Sequence, residues 1–487
     1  MPRLDRLAGE LDVLALDGDA TVEVTGATHD SRQAGPGSLF CCVPGSHHDG
    51  HDHAPEAVDR GARALLCQRP LDLGVPELRV ADVRSAMGPA AAAVHGHPDR
   101  SLDLVGVTGT NGKTTTTWLL QAVLEAAGRP TGLIGTLSHG SLAGSLGAHG
   151  SVAGGPRTTP EATDLQARLA ELRDGGARAV AMEVSSHALA LRRVDGMRFA
   201  VAVFTNLGRD HLDFHDSIED YFAVKARLFD PERSAVGVVN LDDPHGRLLR
   251  DAARIPTRGW SLDEITDLEV GVRSSHGTWR GRRLTVPLGG MFNVCNALAA
   301  ATTAVELGID EATVVDGLAA APPVPGRFEV VALEAPFCVV VDFAHTPEAL
   351  EALLVTAREV TGDGGRVLAV FGAGGDKDQG KRPLMGEVAS RHADHVVLTS
   401  DNPRTEPPAD IAAAIRAGAT GPGAVTTELD RRAAIASALA EARSGDLVVV
   451  AGKGHEAEQV GGEGSVPFDD REVVIEEWDR LGGGSGR

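Results

Sequence analysis

The stretch Gly109-Thr110-Asn111-Gly112-Lys113-Thr114-Thr115 decides how this chain is read. It follows an apolar run, residues 102–107, that reads as a buried strand, and it leads into residues 114–127, which carry a helical pattern. Strand, glycine-bearing loop, Lys-Thr and helix together form a cradle for a nucleoside triphosphate. Loop N–H groups and the helix N-terminus face the phosphates, Lys113 supplies a point charge, and the Thr114 hydroxyl can reach Mg²⁺. The spacing is the short form of such a loop, because Val107 stands five residues before Gly112, where the common form has glycine. The alternative is a glycine-rich turn without a ligand, and the flanking strand and helix weigh against it.

Outward from this loop, apolar runs at 178–184, 199–204 and 236–240 alternate with helix-length patterns. That alternation predicts a parallel sheet with helical crossovers. Residues 1–100 mix short apolar runs with turn clusters and predict a small α/β domain. After Pro322-Pro323-Val324-Pro325-Gly326 a third block begins. Its strand-like runs at 337–342, 366–371, 394–399 and 447–451 alternate with helix patterns at 347–359, 408–417 and 431–443. This predicts a second doubly wound sheet. Residues 140–156 are rich in Gly, Ser and Ala and are expected to form a mobile loop, and 482–487 a frayed tail.

The chain has 487 residues, 42% hydrophobic and 23% charged, enough for roughly three domains. Only 3% are aromatic, so Leu, Val and Ala must fill the cores. The net charge of −22 argues against general nucleic-acid binding, which needs a basic face. An anionic ligand must therefore be held by local basic residues. Five cysteines show no C-x-x-C pair and read as reduced residues of a cytosolic protein. The first residues are broken by acids and lack the apolar core of a secretory signal. No 18-residue apolar stretch predicts a membrane span.

In open parallel sheets, ligands sit beyond the carboxyl ends of the strands. Polar residues fall at such places: Thr158-Thr159-Pro160-Glu161, Glu183 before Ser185-Ser186-His187, and residues 206–215, which contain His211. A carboxylate and an imidazole near a phosphate loop suit Mg²⁺. Ile218, Phe222, Lys225 and Phe229 fall on one stripe of a predicted helix. Desolvation there disfavours the charged amine, and a neutral amine can take up CO₂ as a carbamate, a second anionic metal ligand. The alternative is a lysine snorkelling from the core edge. Gly372-Ala373-Gly374-Gly375-Asp376-Lys377 follows a strand but departs from a dinucleotide fingerprint at its sixth position, so that reading is rejected. Asp401-Asn402-Pro403-Arg404 offers an acid, an amide and a guanidinium, a set suited to a zwitterionic amino acid. Gly452-Lys453-Gly454-His455-Glu456 follows another strand. His47, His48, His51 and His53 have zinc-like spacings but read more readily as a solvated loop.

These tracts, with HDSR (29–32), FNVCNALAA (292–300), GRFE (326–329) and VDFAHTPEAL (341–350), resemble the Mur ligases, within them the branch that adds diaminopimelate. The likeness runs nearly end to end. It implies an α/β protein of three domains: an N-terminal UDP-binding domain (1–100), a central P-loop ATPase sheet (101–328) and a C-terminal Rossmann-like domain that brings the amino acid (329–487). The resemblance implies ATP contacts from Gly109, Thr110, Asn111, Gly112, Lys113, Thr114, Thr115, Asn293, Arg327, Asp342 and His345. Ser31, Ser46, His47, Thr158, Thr159, Ser185 and Arg193 would hold UDP-N-acetylmuramoyl-L-Ala-D-Glu. Arg382, Asp401, Asn402, Pro403, Arg404, Gly452 and Glu456 would hold diaminopimelate. Thr114, Glu183, His211 and a carbamylated Lys225 (N6-carboxylysine) would bind Mg²⁺, with Lys113, Lys225, Glu183 and His211 as the catalytic set. It further implies acyl-phosphate chemistry in a cytoplasmic monomer that serves cell-wall precursor synthesis.

Three positions depart from the pattern. Leu191 stands where relatives can carry glutamine, Phe343 where tyrosine is common, and His53 where an aromatic ring is usual. Arg404 favours diaminopimelate over lysine, which has no second carboxylate to receive it. The alternatives are a ligase of the same fold acting on lysine or on a folylpolyglutamate, and a non-catalytic ATP-binding regulator. The sequence does not separate meso- from LL-diaminopimelate.

Overall fold

A computed structural model describes residues 1–45, 48–137, 157–211, 214–362 and 364–482. The chain divides into two compact units. One comprises Met1–Leu207, Ser217–Ser261 and Ala299–Gly317; the other comprises Gly208–Asp216, Leu262–Leu298 and Leu318–Arg487.

Among the described residues, the first unit holds two sheets. The smaller runs Val13–Asp17, Glu77–Val80, Ala64–Cys67, Ser38–Cys41, Gly26–Thr28, with only the first pair antiparallel. The larger is parallel throughout, in the order Thr257–Trp260, Ser234–Asn240, Phe199–Phe204, Asp103–Thr108, Ala179–Glu183, Thr131–Ile134. The chain leaves Asp103–Thr108 towards one edge and Phe199–Phe204 towards the other. Their carboxyl ends therefore flank a topological switch point, where open α/β sheets take ligands. Every residue of Ala179–Glu183 is buried, because helices cover both faces of such a sheet and its strands read as unbroken apolar runs.

The second unit holds a three-stranded antiparallel sheet (Ile265–Val270, Ser275–Trp279, Arg282–Val286) and a six-stranded sheet. The larger sheet runs Glu329–Val330, Cys338–Asp342, Leu447–Ala451, Val367–Phe371, His395–Leu398, Ala424–Thr427. All its pairs are parallel except the first. Val367–Phe371 and Leu447–Ala451 are buried at every position. Their cores are filled by Val, Leu, Ile and Ala with few rings, as the composition requires.

Several elements follow the sequence pattern closely. Phe199–Phe204 and Leu447–Ala451 have the expected bounds, and the helix after the loop 109–112 spans Lys113–Ala126. Around Lys225 the structure differs. The α-helix ends at Ala226 and continues as a 3-10 turn, Arg227–Phe229. Its buried residues are Tyr221, Val224 and Lys225, while Ile218 and Phe222 are only partly covered. The buried stripe is thus rotated by about one residue from the expected one. Lys225 and Phe229 of the expected stripe are both buried, which is why the burial of Lys225 was legible. The segment 140–156 expected to be mobile lies outside the described residues. Among the described residues no helix is long and apolar enough to cross a membrane.

Candidate active site

The loop 109–112, expected to cradle phosphates, starts where Asp103–Thr108 ends. Gly109 has φ +147°, and a Cβ there would overlap the Thr205 hydroxyl. Only glycine lets the loop pass this close to the neighbouring strand end. That neighbour braces the loop: Asn206 O accepts the Thr110 N–H and Asn206 Oδ1 the Asn111 N–H, both at 2.9 Å. Thr205 Oγ1 donates to Asn111 O at 2.6 Å. Gly112, at φ +85°, turns the chain into the helix, and Thr114 and Thr115 are buried in its first turn. Lys113 Nζ donates to Gly109 O (2.9 Å) and Thr110 O (2.8 Å).

Lys225 is 1% exposed and also donates to Gly109 O, at 2.9 Å. Its ammonium lies 4.3 Å from the ring centroid of Tyr221, a favourable place for a cation over a π face. The Tyr221 hydroxyl in turn is 3.3 Å from Thr110 Oγ1. Tyr221, the one tyrosine of the chain, was not singled out from the sequence. It sits three residues before the buried Val224, a spacing that could have flagged it.

Glu183, buried at the end of Ala179–Glu183, accepts from Thr114 Oγ1 at 3.1 Å and from the Thr136 N–H at 2.7 Å. A hydroxyl and a carboxylate are hard oxygen donors, and Mg²⁺ takes only one or two protein ligands beside phosphates and waters. The pair fits that ion. Among the described residues no three His, Cys, Asp or Glu side chains form a ready metal cluster. His211 belongs to the other unit; it has φ +54° and lies 3.4 Å from Asp210.

Thr159 is buried and ties the strand end to the loop before it. Its hydroxyl donates to Glu183 O at 2.9 Å and accepts the Ser185 N–H at 3.1 Å. Ser185 caps the helix Ser186–Ala190, and Thr158 is half-buried beside Thr159. Arg193 donates to Glu161 Oε1 (2.9 Å) and Thr159 O (3.2 Å), and Arg84 reaches the other Glu161 oxygen at 2.7 Å. Burial alone would raise the Glu161 carboxyl. Arg193, Arg84 and Arg157 reverse that and hold it below the ordinary carboxylate range. In the smaller sheet's region, Ser31 donates to Glu56 at 2.8 Å. Ser46 and His47 lie outside the described residues. Of the other loop histidines, His51 is buried, with Nδ1 2.6 Å from Asp49 and Nε2 accepting the Gln68 N–H. This is a structural arrangement.

In the second unit, four parallel strands bring their ends and the residues after them to one sheet edge: Asp342–His345, Gly372–Gly375, Asp401–Arg404 and Gly452–Glu456. Asp342 accepts the N–H groups of Phe328 and Ala344, each at 2.7 Å, and burial raises its carboxyl against the pull of Arg327. Phe343 packs among the His345 ring (4.6 Å), the His455 ring (5.1 Å) and the Arg327 guanidinium (4.7 Å). Asn293 is buried and donates to Gly289 O.

The DNPR and GKGHE tracts interlock. Asn402 donates to Glu456 Oε2 at 2.8 Å and accepts from Lys453 Nζ at 3.2 Å. Lys453 is wholly buried, its remaining bonds going to Glu456 and to Glu458 O. Nothing in the sequence marks this lysine, since one lysine between glycines carries no burial signal. Asp401 is buried; its Oδ1 accepts the Asn402 N–H, while its Oδ2 has no hydrogen-bond partner among the described residues. Arg404, at φ +52°, donates through Nη1 to Gly375 O at 2.7 Å, and no described residue engages its Nε or Nη2. Arg382 is differently placed. Its two terminal nitrogens grip Glu406 at 2.9 and 2.8 Å, which pulls that carboxyl down to about 2. This clamp joins the glycine loop to the DNPR loop. A Cβ on Gly375 would overlap the Pro403 carbonyl, which explains the glycines without a dinucleotide.

Three family descriptions match: Mur ligase family, catalytic domain, over 23–102; Mur ligase middle domain over 107–304; and Mur ligase, glutamate ligase domain over 326–454. The UDP-N-acetylmuramoyl-L-alanyl-D-glutamate-2,6-diaminopimelate ligase of Streptomyces coelicolor is 46% identical, over 97% of this chain and 96% of its own. A solved structure of a ligase of that name is similar with a TM-score of 0.69 at 32% identity, over 99% of each chain. Folylpolyglutamate synthase of Mycobacterium tuberculosis, solved with ADP and AMPPCP, gives a TM-score of 0.58 over 81% of this chain and 94% of its own. At 22% identity it shares the fold alone. The chain belongs to the Mur ligase family.

Proposed function

We propose that this protein is the ATP-dependent ligase that joins diaminopimelate to the D-glutamyl γ-carboxylate of UDP-N-acetylmuramoyl-L-Ala-D-Glu. The observation that carries the choice of amine is Asp401 Oδ2, buried and without a hydrogen-bond partner among the described residues, together with the open edge of Arg404. A buried acceptor without a partner is costly unless a ligand supplies a donor. An ammonium supplies it, and a carboxylate suits a guanidinium fork.

The γ-carboxylate oxygen attacks the γ-phosphorus of ATP. The bond to the β,γ-bridging oxygen breaks, and ADP leaves. The amine nitrogen, having shed its proton, attacks the acyl carbon, and the C–O bond breaks to release phosphate. Lys113, the loop N–H groups and the helix N-terminus bear the charge on the transferring group. Thr114 and Glu183 would hold Mg²⁺, which neutralises phosphate charge when bound. The metal roles of His211 and carbamylated Lys225, and the nucleotide roles of Asn293, Arg327, Asp342 and His345, rest on the family resemblance. So do the roles of Ser31, Ser46, His47, Thr158, Thr159, Ser185 and Arg193 towards the muramoyl dipeptide, and that of Arg382 towards the amino acid. The division into UDP-binding (1–100), P-loop ATPase (101–328) and Rossmann-like amino-acid (329–487) domains, and the cytoplasmic setting, belong to the same reading.

The test supplies ATP, Mg²⁺ and UDP-N-acetylmuramoyl-L-Ala-D-Glu with meso-diaminopimelate, LL-diaminopimelate or L-lysine, and reads phosphate release with product mass. A tripeptide with a diaminopimelate isomer and none with lysine is expected. Product with lysine alone overturns the role of Arg404, and no product with any amine overturns the reading.

A further inference from the structure

We propose that Arg431, held by Asp470, is a positioning residue that sets the two loops of the amino-acid site; this rests on the reading above. Both side chains are wholly buried. Arg431 Nε and Nη2 grip the two Asp470 oxygens, each at 2.7 Å. The remaining bonds go to two backbone carbonyls: Nη1 to Ser400 O at 3.2 Å and Nη2 to Ala451 O at 2.9 Å. Ser400 immediately precedes Asp401, and Ala451 immediately precedes Gly452. One planar fork thus pins the roots of both recognition loops, more than fifty residues apart in the chain.

Stability alone does not account for this placement. Arg431 is the first residue of the helix Arg431–Glu441, where the helix dipole disfavours a cation. A buried ion pair is weak as a stabilising element, because desolvation offsets the attraction, and fixing one arrangement is its better-attested use. Here the arrangement matters at close range: a Cβ on Gly452 would come within 2.5 Å of Asp401 Oδ2, the oxygen proposed to receive the ammonium. A small shift between the loop roots would move that oxygen against the backbone beside it. Lysine cannot replace the fork, since one ammonium does not span both carbonyls and the carboxylate.

The experiment compares wild type, Arg431→Lys and Asp470→Asn, with the fold of each checked by circular dichroism and its unfolding midpoint. KM is measured separately for diaminopimelate, ATP and the muramoyl dipeptide. In folded Arg431→Lys, KM for diaminopimelate should rise roughly tenfold or more, with the other two within about twofold. Asp470→Asn, the milder change, should shift the same constant less and carries the test if Arg431→Lys does not fold. An unchanged KM for diaminopimelate in a folded variant, or equal rises in all three constants, overturns the proposal. A wild-type protein that ligates no amine instead overturns the function on which it rests.

Discussion

Lys113 and Lys225 both donate to the carbonyl oxygen of Gly109, each at 2.9 Å. The two ammonium groups are therefore at most twice that distance apart, Lys225 buried and Lys113 half-buried, where like charges repel. A carbamate on Lys225 turns that repulsion into attraction, because the group becomes anionic. On this ground we propose that Lys225 carries the modification. We expect Lys225→Ala to lower kcat by about 100-fold or more, without rescue by bicarbonate. Wild-type protein equilibrated with ¹³C-bicarbonate should show a carbamate carbon resonance that Lys225→Ala lacks. Full activity of the variant would refute the role.

Arg404 reaches its place in a left-handed conformation, φ +52°, anchored by one nitrogen to Gly375 O. Non-glycine residues in such conformations are held by their surroundings, often at functional sites. Arg404→Ala should raise KM for diaminopimelate by about 100-fold, as loss of a charge-assisted fork costs about 2–3 kcal/mol, while KM for ATP stays put. Steady-state kinetics with each substrate varied in turn decide it; equal use of diaminopimelate by the variant would remove the arginine from the site.

Gly375 lies against the Pro403 carbonyl, where a Cβ would overlap. Gly375→Ala must push the DNPR loop outward. The expected cost is about 1–3 kcal/mol of stability together with weaker diaminopimelate binding. Denaturant unfolding and KM measured on the same preparation check this, and wild-type values in both would contradict the close approach.

His455 is pushed down to about 4, first by burial and then by Arg327 and Arg471. The neutral ring is the form that the fold favours. Its folded pKa lies below the ordinary value of about 6.5, so its contribution to stability is complete above that value. It declines as pH falls through the interval down to about 4. Wild type should lose more stability between pH 7 and 4.5 than His455→Gln, measured by urea unfolding. The imidazole resonance missing from His455→Gln should titrate near 4; a midpoint at 6 or above would contradict the burial argument.

Local sequence pattern is enough to specify the strands buried on both faces, because helix-covered parallel strands are unbroken apolar runs. The turn at Gly109 and Gly112 was legible in the same way, since its glycines answer a local demand for tight approach and positive φ. The burial of Lys225 was legible from helical spacing, even though the buried stripe is rotated by about one residue towards Tyr221 and Val224. Which side chains meet is a matter of the folded chain. Lys225 and Gly109 are 116 residues apart, and Arg431 and Asp470 are 39 apart. Such partners are chosen by strand order, which no local pattern encodes. The same holds for Arg382, whose fork is taken by Glu406, and for Lys453, buried among Asn402, Glu456 and Glu458. A buried charge needs partners wherever the fold can supply them, and their identity is a property of the packed sheet edge.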